Sequence, residues 1–250
     1  MNTLLQPNKV LIKIRQGGGI NILLLLLLIV VMYKSQYYKK VLQKLDMMEM
    51  LPTDASDYWA RDGWTNTLQK LDYDADIAFF GNSITCMSDF QKSFPDKKIV
   101  NLGYPGDTMK GMMLRMDMLR AVKPEIVFMM AGINGLKTIE VDLFAAEYKA
   151  LVDSVQTALP HSQLYLQSIL PVNDKVYQKC GDNDKIQSAN EIIRQIAVKK
   201  GCVYIDLFSL YCKNGMLPQE LIDGIHLHPG AYERWADAIR KYVNLDKCIR

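Results

Sequence analysis

The sequence predicts an α/β fold, a three-layer α/β/α sandwich built on a five-stranded parallel sheet and preceded by an amino-terminal transmembrane helix. Three observations carry that expectation. Five short apolar runs, Ile77–Phe80, Lys98–Leu102, Ile126–Ala131, Gln163–Ile169 and Cys202–Ile205, alternate with longer stretches of helical period. Strands spaced by helices pair in parallel and take helical cover on both faces. The third observation lies upstream, where residues 16–33 contain no charge and Ile22–Met32 is apolar throughout.

Taken in order, residues 1–15 form a basic tail carrying Lys9, Lys13 and Arg15. Residues 16–33 are expected to anchor the chain in a membrane. Eighteen helical residues span roughly 27 Å, slightly less than the hydrocarbon thickness of about 30 Å. A removed secretory signal is the competing reading, yet YKSQYYKK follows Met32 with no small-residue cleavage pattern. A buried core helix fits less well, because a run of leucines has no polar face. Basic residues flank the run on both sides, so charge asymmetry does not decide orientation. The reading adopted is a cytoplasmic amino terminus with the globular part on the periplasmic or extracellular side.

Residues 34–75 read as a helical stalk and a polar lead-in with Trp59 and Trp64 as packing anchors, and residues 76–250 as the folded domain. Within it, Phe144, Tyr148, Leu151, Val155 and Leu159 share one helical stripe, as do Ile186, Ala189, Ile193 and Ile196, and Tyr232, Trp235, Ile239 and Tyr242. Met109, Met112, Met113 and Met116 recur as the buried stripe of one further helix.

Composition narrows the function. The chain has 250 residues, 49% hydrophobic and 23% charged, which suits one sizeable domain with an appendage and excludes disordered or collagenous chains. A net charge of +3 lacks the concentrated positive surface that nucleic acid requires. Cys86, Cys180, Cys202, Cys212 and Cys248 include no CxxC pair, which argues against a zinc ribbon or a thioredoxin motif. They read as mostly buried thiols, with a bridge from Cys180 to Cys202 or Cys212 left open.

The chemistry is expected beyond the carboxyl ends of the strands. The first strand runs into Gly81-Asn82-Ser83-Ile84-Thr85, which exposes the Ser83 hydroxyl at a helix start whose N–H groups and dipole favour developing negative charge. Ser83 could equally be that helix's cap. The second strand leads to Tyr104-Pro105-Gly106-Asp107-Thr108, where a glycine N–H can approach a ligand, and the third to Gly132-Ile133-Asn134-Gly135, which brings an amide donor to the same edge. Asp223 and His226 stand three apart, so the carboxylate can hold one ring nitrogen while the other takes a proton from Ser83. A metal bound by Asp223, His226 and His228 is the weaker alternative. His161 reads as a surface residue.

In this order GNSIT, YPGDT, GIN and DGIHLHPGAY resemble the four blocks of the SGNH, or GDSL-type, hydrolase family, over roughly Asp76–Val243. The resemblance implies a flavodoxin-like sandwich. It further implies Ser83 as nucleophile, His226 as general base and then acid, Asp223 as its orienter, and the Ser83 N–H, the Gly106 N–H and the Asn134 amide as an oxyanion hole. Neither metal nor cofactor is implied. Asn82, Cys86 and Gly135 depart from the residues common in the family, and Gly135 is expected to loosen the third block. The flavour is that of acetylhydrolases and carbohydrate esterases, including the platelet-activating-factor acetylhydrolase type, with an acylated small molecule or glycan as substrate. Lipid acyl esters, or a non-catalytic binding module on the same fold, are the alternatives.

Overall fold

The computed structural model describes residues 74–177, 181–212 and 220–243. Its two central strands, β1 (Ile77–Gly81) and β3 (Ile126–Met130), are buried at every position. They read IAFFG and IVFMM, unbroken apolar runs, because a parallel sheet covered on both faces leaves no side for polar residues. β2 (Ile99–Gly103) and β5 (Val203–Ile205) are only partly buried and form the edges, while β4 (Gln163–Gln167) lies between β3 and β5. All pairings are parallel, in the order β2-β1-β3-β4-β5. Chain order therefore reverses between β1 and β3, and the crevice at such a switch point is where open α/β sheets hold ligands.

Successive residues on β1 point to opposite faces. Phe79 stacks on Phe90 of α2 (Phe90–Ser93) at 3.8 Å and on Phe128 at 5.2 Å, and Phe128 stacks in turn on Tyr165 at 5.0 Å. Trp235 of α8 (Pro229–Val243) meets Phe90 edge-on and closes this layer. Phe80 faces the other layer, where α3 (Met109–Met113), α4 (Met116–Val122), α5 (Val141–Ala158) and α6 (Asn183–Lys200) pack side by side. The short α1 (Ser83–Cys86) follows β1, and α7 (Phe208–Cys212) follows β5.

The predicted stripes are largely the buried ones: Phe144, Tyr148, Leu151 and Val155 on α5, with Leu159 buried just past its end, Ile186, Ala189, Ile193 and Ile196 on α6, and Tyr232, Trp235 and Ile239 on α8, where Tyr242 is only half-buried. Two expectations need correction. The methionines occupy two helices, α3 and α4, because the chain breaks at Leu114–Arg115, where the arginine side chain turns inward to bond strand-end carbonyls. The thiols are not mostly buried either: Cys86 and Cys212 are exposed and Cys202 is half-buried, all three free. Residues 1–73, with the expected anchor, stalk, Trp59 and Trp64, lie outside the described residues, as do Cys180 and Cys248. Among the described residues no helix is long and apolar enough to cross a membrane.

Candidate active site

Ser83 is delivered by the turn from β1 into α1. Asn82, not Ser83, is the helix cap: its Oδ1 accepts the Ile84 N–H at 3.0 Å, and the residue is buried. The serine hydroxyl is thereby left for other chemistry. Because α1 is a single turn, charge at its start is felt through individual N–H groups, and the expected macrodipole contributes little. The turn is clamped from three sides. Asn101 Nδ2 donates to the Thr85 and Ser88 carbonyls at 2.9 and 3.0 Å, and Tyr232 Oη donates to the Ile84 carbonyl at 2.7 Å. A Cβ at Gly103 would collide with the Cys86 backbone, so only glycine lets β2 approach this closely.

His226 lies on the segment between α7 and α8. Its Nε2 is 2.9 Å from Ser83 Oγ, and its Nδ1 is 2.7 Å from Asp223 Oδ2. The other carboxylate oxygen, Oδ1, accepts the His226 N–H at 2.9 Å and the Ile225 N–H at 3.2 Å. Residues three apart can meet this way because the carboxylate folds back over the turn it caps. Partial desolvation pushes the Asp223 carboxyl up, but the His226 N–H, the His226 ring and the Ile225 N–H together outweigh it and hold the group below the ordinary carboxylate range. Asp223 therefore stays ionised and favours the tautomer with a proton on Nδ1, leaving Nε2 as acceptor toward the serine. The segment is held from behind by the Asn173 N–H, which donates to the Gly224 carbonyl at 2.8 Å and brings Val176 and Tyr177 against Gly224.

The three other predicted donors reach the same strand ends. Tyr104-Pro105-Gly106-Asp107 is a β-turn closed by the Asp107 N–H on the Tyr104 carbonyl, with Gly106 at φ +74°. Proline followed by a left-handed residue is a type II turn, which demands glycine at its third position. Among the described residues neither the Ser83 nor the Gly106 N–H donates to a protein acceptor. Asn134 Nδ2 donates one hydrogen to the Asp107 carbonyl at 2.8 Å and keeps a second. The Gly135 carbonyl accepts the Thr138 and Ile139 N–H groups at 3.1 Å each.

His228 does not join the site; it is exposed, and its Nδ1 receives the Gly230 N–H at 3.4 Å. No cluster of metal-ligating side chains occurs among the described residues, and both nitrogens of His226 are engaged by Asp223 and Ser83. His161 is exposed, as expected. Sequence reasoning missed Asp107 and Arg115. Both are buried, and Arg115 Nε donates to Asp107 Oδ2 at 2.6 Å. The signal available was an arginine among apolar residues eight positions after the turn, which linear reading takes for a solvated charge.

An α/β sandwich that sets a serine, an imidazole and a carboxylate in one hydrogen-bonded line at its switch point has the layout of a serine hydrolase. The chain belongs to the GDSL-like lipase/acylhydrolase family, whose sequence model matches residues 79–234. Solved structures share the fold. A Streptococcus pneumonia protein provisionally described as a platelet activating factor is 24% identical, with 76% of this chain and 100% of that one covered and a TM-score of 0.64. A GDSL-like lipase from Bacteroides thetaiotaomicron is 19% identical over 76% of this chain and 98% of its own, TM-score 0.60. An acetyl xylan esterase is 21% identical over 67% and 98%, TM-score 0.58. No curated protein matches the chain.

Proposed function

We propose that this hydrolase cleaves carboxylic esters through an acyl-enzyme on Ser83. The hydrogen-bonded line from Asp223 through His226 to Ser83 carries the reading. Ser83 Oγ attacks the acyl carbonyl as its proton passes to His226 Nε2, and Asp223 stabilises the imidazolium. The carbonyl oxygen, now an oxyanion, takes hydrogen bonds from the Ser83 N–H, the Gly106 N–H and the free hydrogen of Asn134. Collapse expels the alcohol, which leaves with the proton from His226. Water then repeats the sequence against the acyl-enzyme, giving up its proton to His226 and releasing the acid with Ser83 restored.

The preferred substrate is an acetyl group on a carbohydrate. The half-buried serine at the carboxyl ends of the strands suits a small acyl group on a bulky polymer, and an acetyl xylan esterase is among the structures of like fold. A lipid acyl ester is the second reading, favoured by Ile222 and Val176, apolar and 63% and 64% exposed beside the Asp223–His226 segment. Activity on aryl acetate but not aryl octanoate supports the first, and the reverse preference the second. The apolar run Ile22–Met32 supports attachment to a membrane, and the orientation proposed places the domain outside. A reporter active only outside the cytoplasm, fused after Arg250, is expected to be active; a silent reporter on a stable fusion rejects that orientation.

A further inference from the structure

We infer that Arg115, through its ion pair with Asp107, is a positioning residue that sets the spacing of the three oxyanion donors. The inference rests on the hydrolase reading above and assigns a role within that same site. Four bonds carry it. Arg115 Nη2 donates to the Gly81 carbonyl at 2.8 Å, two residues before Ser83. Nη1 donates to the Leu102 carbonyl at 2.7 Å, at the end of the strand that leads to Gly106. Nε donates to Asp107 Oδ2 at 2.6 Å, one residue past Gly106. The Asp107 carbonyl in turn accepts Asn134 Nδ2 at 2.8 Å. A single guanidinium thus links, directly or through one further bond, every segment that bears a donor.

Arg115 is 3% exposed and Asp107 1%, so water does not compete for these charge-assisted bonds. The guanidinium carbon of Arg115 lies 4.3 Å from the centre of the Phe80 ring, within reach of a cation–π contact. A Cβ at Gly111 would collide with the Asp107 carboxylate, so α3 also presses on the pair. Neutralising a buried charge would need only a cation. Holding two carbonyls on different strands and a carboxylate in one plane needs the rigid fork of arginine, which the flexible point charge of lysine does not supply. Oxyanion donors act only when they lie about 2.7–3.1 Å from the developing charge, so small displacements of these segments remove their effect. Arg115 itself is buried beneath the loops and acts through them.

The test is a mutant cycle in the full chain, assayed on p-nitrophenyl acetate per folded molecule. Arg115→Lys is expected to lower kcat by about 10²–10³, the scale of losing an oxyanion donor, while KM and the pH profile of the reaction stay where they are. Asn134→Ala alone should cost a similar factor. Added to Arg115→Lys it should cost less than about tenfold more, because the donor it deletes is already misplaced. Two effects that multiply, or Arg115→Lys protein that turns over normally, overturn the inference and leave the hydrolase reading standing. Wild-type protein that is folded but neither hydrolyses esters nor reacts at Ser83 removes both. If Arg115→Lys does not accumulate as folded protein, Asp107→Asn, which keeps an acceptor for the Nε–H, carries the same cycle: a sub-multiplicative double variant supports the inference, and multiplying effects or normal turnover overturn it.

Discussion

A serine hydroxyl is a weak nucleophile, and what distinguishes Ser83 is the company of its oxygen. Ser168, by contrast, is buried with Oγ accepting the Leu207 and Phe208 N–H groups at 2.8 and 2.7 Å, a structural cap. Ser83 Oγ meets an imidazole whose far nitrogen is held by a carboxylate. Ser83→Ala should therefore lower kcat by up to about 10⁶, and Asp223→Asn by roughly 10⁴ because the wrong tautomer is favoured. Steady-state kinetics on an aryl acetate reads both, and a serine variant with unchanged kcat removes Ser83 from the reaction. The pH dependence follows from the same contacts. Asp223 is held below its ordinary value by these contacts, so it remains ionised, and able to orient the imidazole, at any pH above the ordinary carboxylate range. The meeting of these three residues was legible in the sequence because the serine directly follows an apolar run and the aspartate and histidine stand three apart ahead of the last helix. The Asn82 cap was not, since either of two adjacent polar side chains could have closed the first turn.

At the scale of elements, the question is what holds a one-turn helix against a strand end. α1 is too short to be stable alone, and its carbonyls are satisfied by Asn101 from β2 and Tyr232 from α8. Tyr232→Phe removes one buried bond and should cost about 1 kcal/mol in stability, measured by urea unfolding, with a fall in kcat larger than that of KM. Gly103→Ala should cost more, about 1–3 kcal/mol, because its Cβ would displace the Cys86 backbone. Equal stability of the alanine variant would show that β2 and α1 can separate at no cost. Strands and long helices were readable because each is an apolar run or stripe of its own. The break between α3 and α4 was not, because its cause lies far away along the chain: Arg115 bonds Gly81, 34 residues earlier, and no local period reports such a partner.

Across the whole molecule, the order β2-β1-β3-β4-β5 explains why four sequence blocks far apart converge. The turns after β1, β2 and β3 flank the switch point, and the segment before α8 returns His226 to it across 143 residues. Parallel topology delivers all strand ends to one edge, which is why block order in the sequence could stand in for geometry. Stability should carry a trace of the site. A carboxylate whose folded value is depressed contributes stability above its unfolded value, about 4, and that contribution is lost as pH falls through the folded value. The thermal midpoints of wild type and Asp223→Asn should therefore converge as pH drops below about 4, and a gap that widens there would contradict the sign.

The most direct test of the central claim is covalent capture of the nucleophile. Full-length protein treated with a fluorophosphonate should gain one adduct by intact mass, and peptide mapping should place it on Ser83. The same treatment of folded His226→Ala protein should leave it unmodified on the same timescale. An adduct on another residue, or equal labelling with and without the imidazole, would contradict the account.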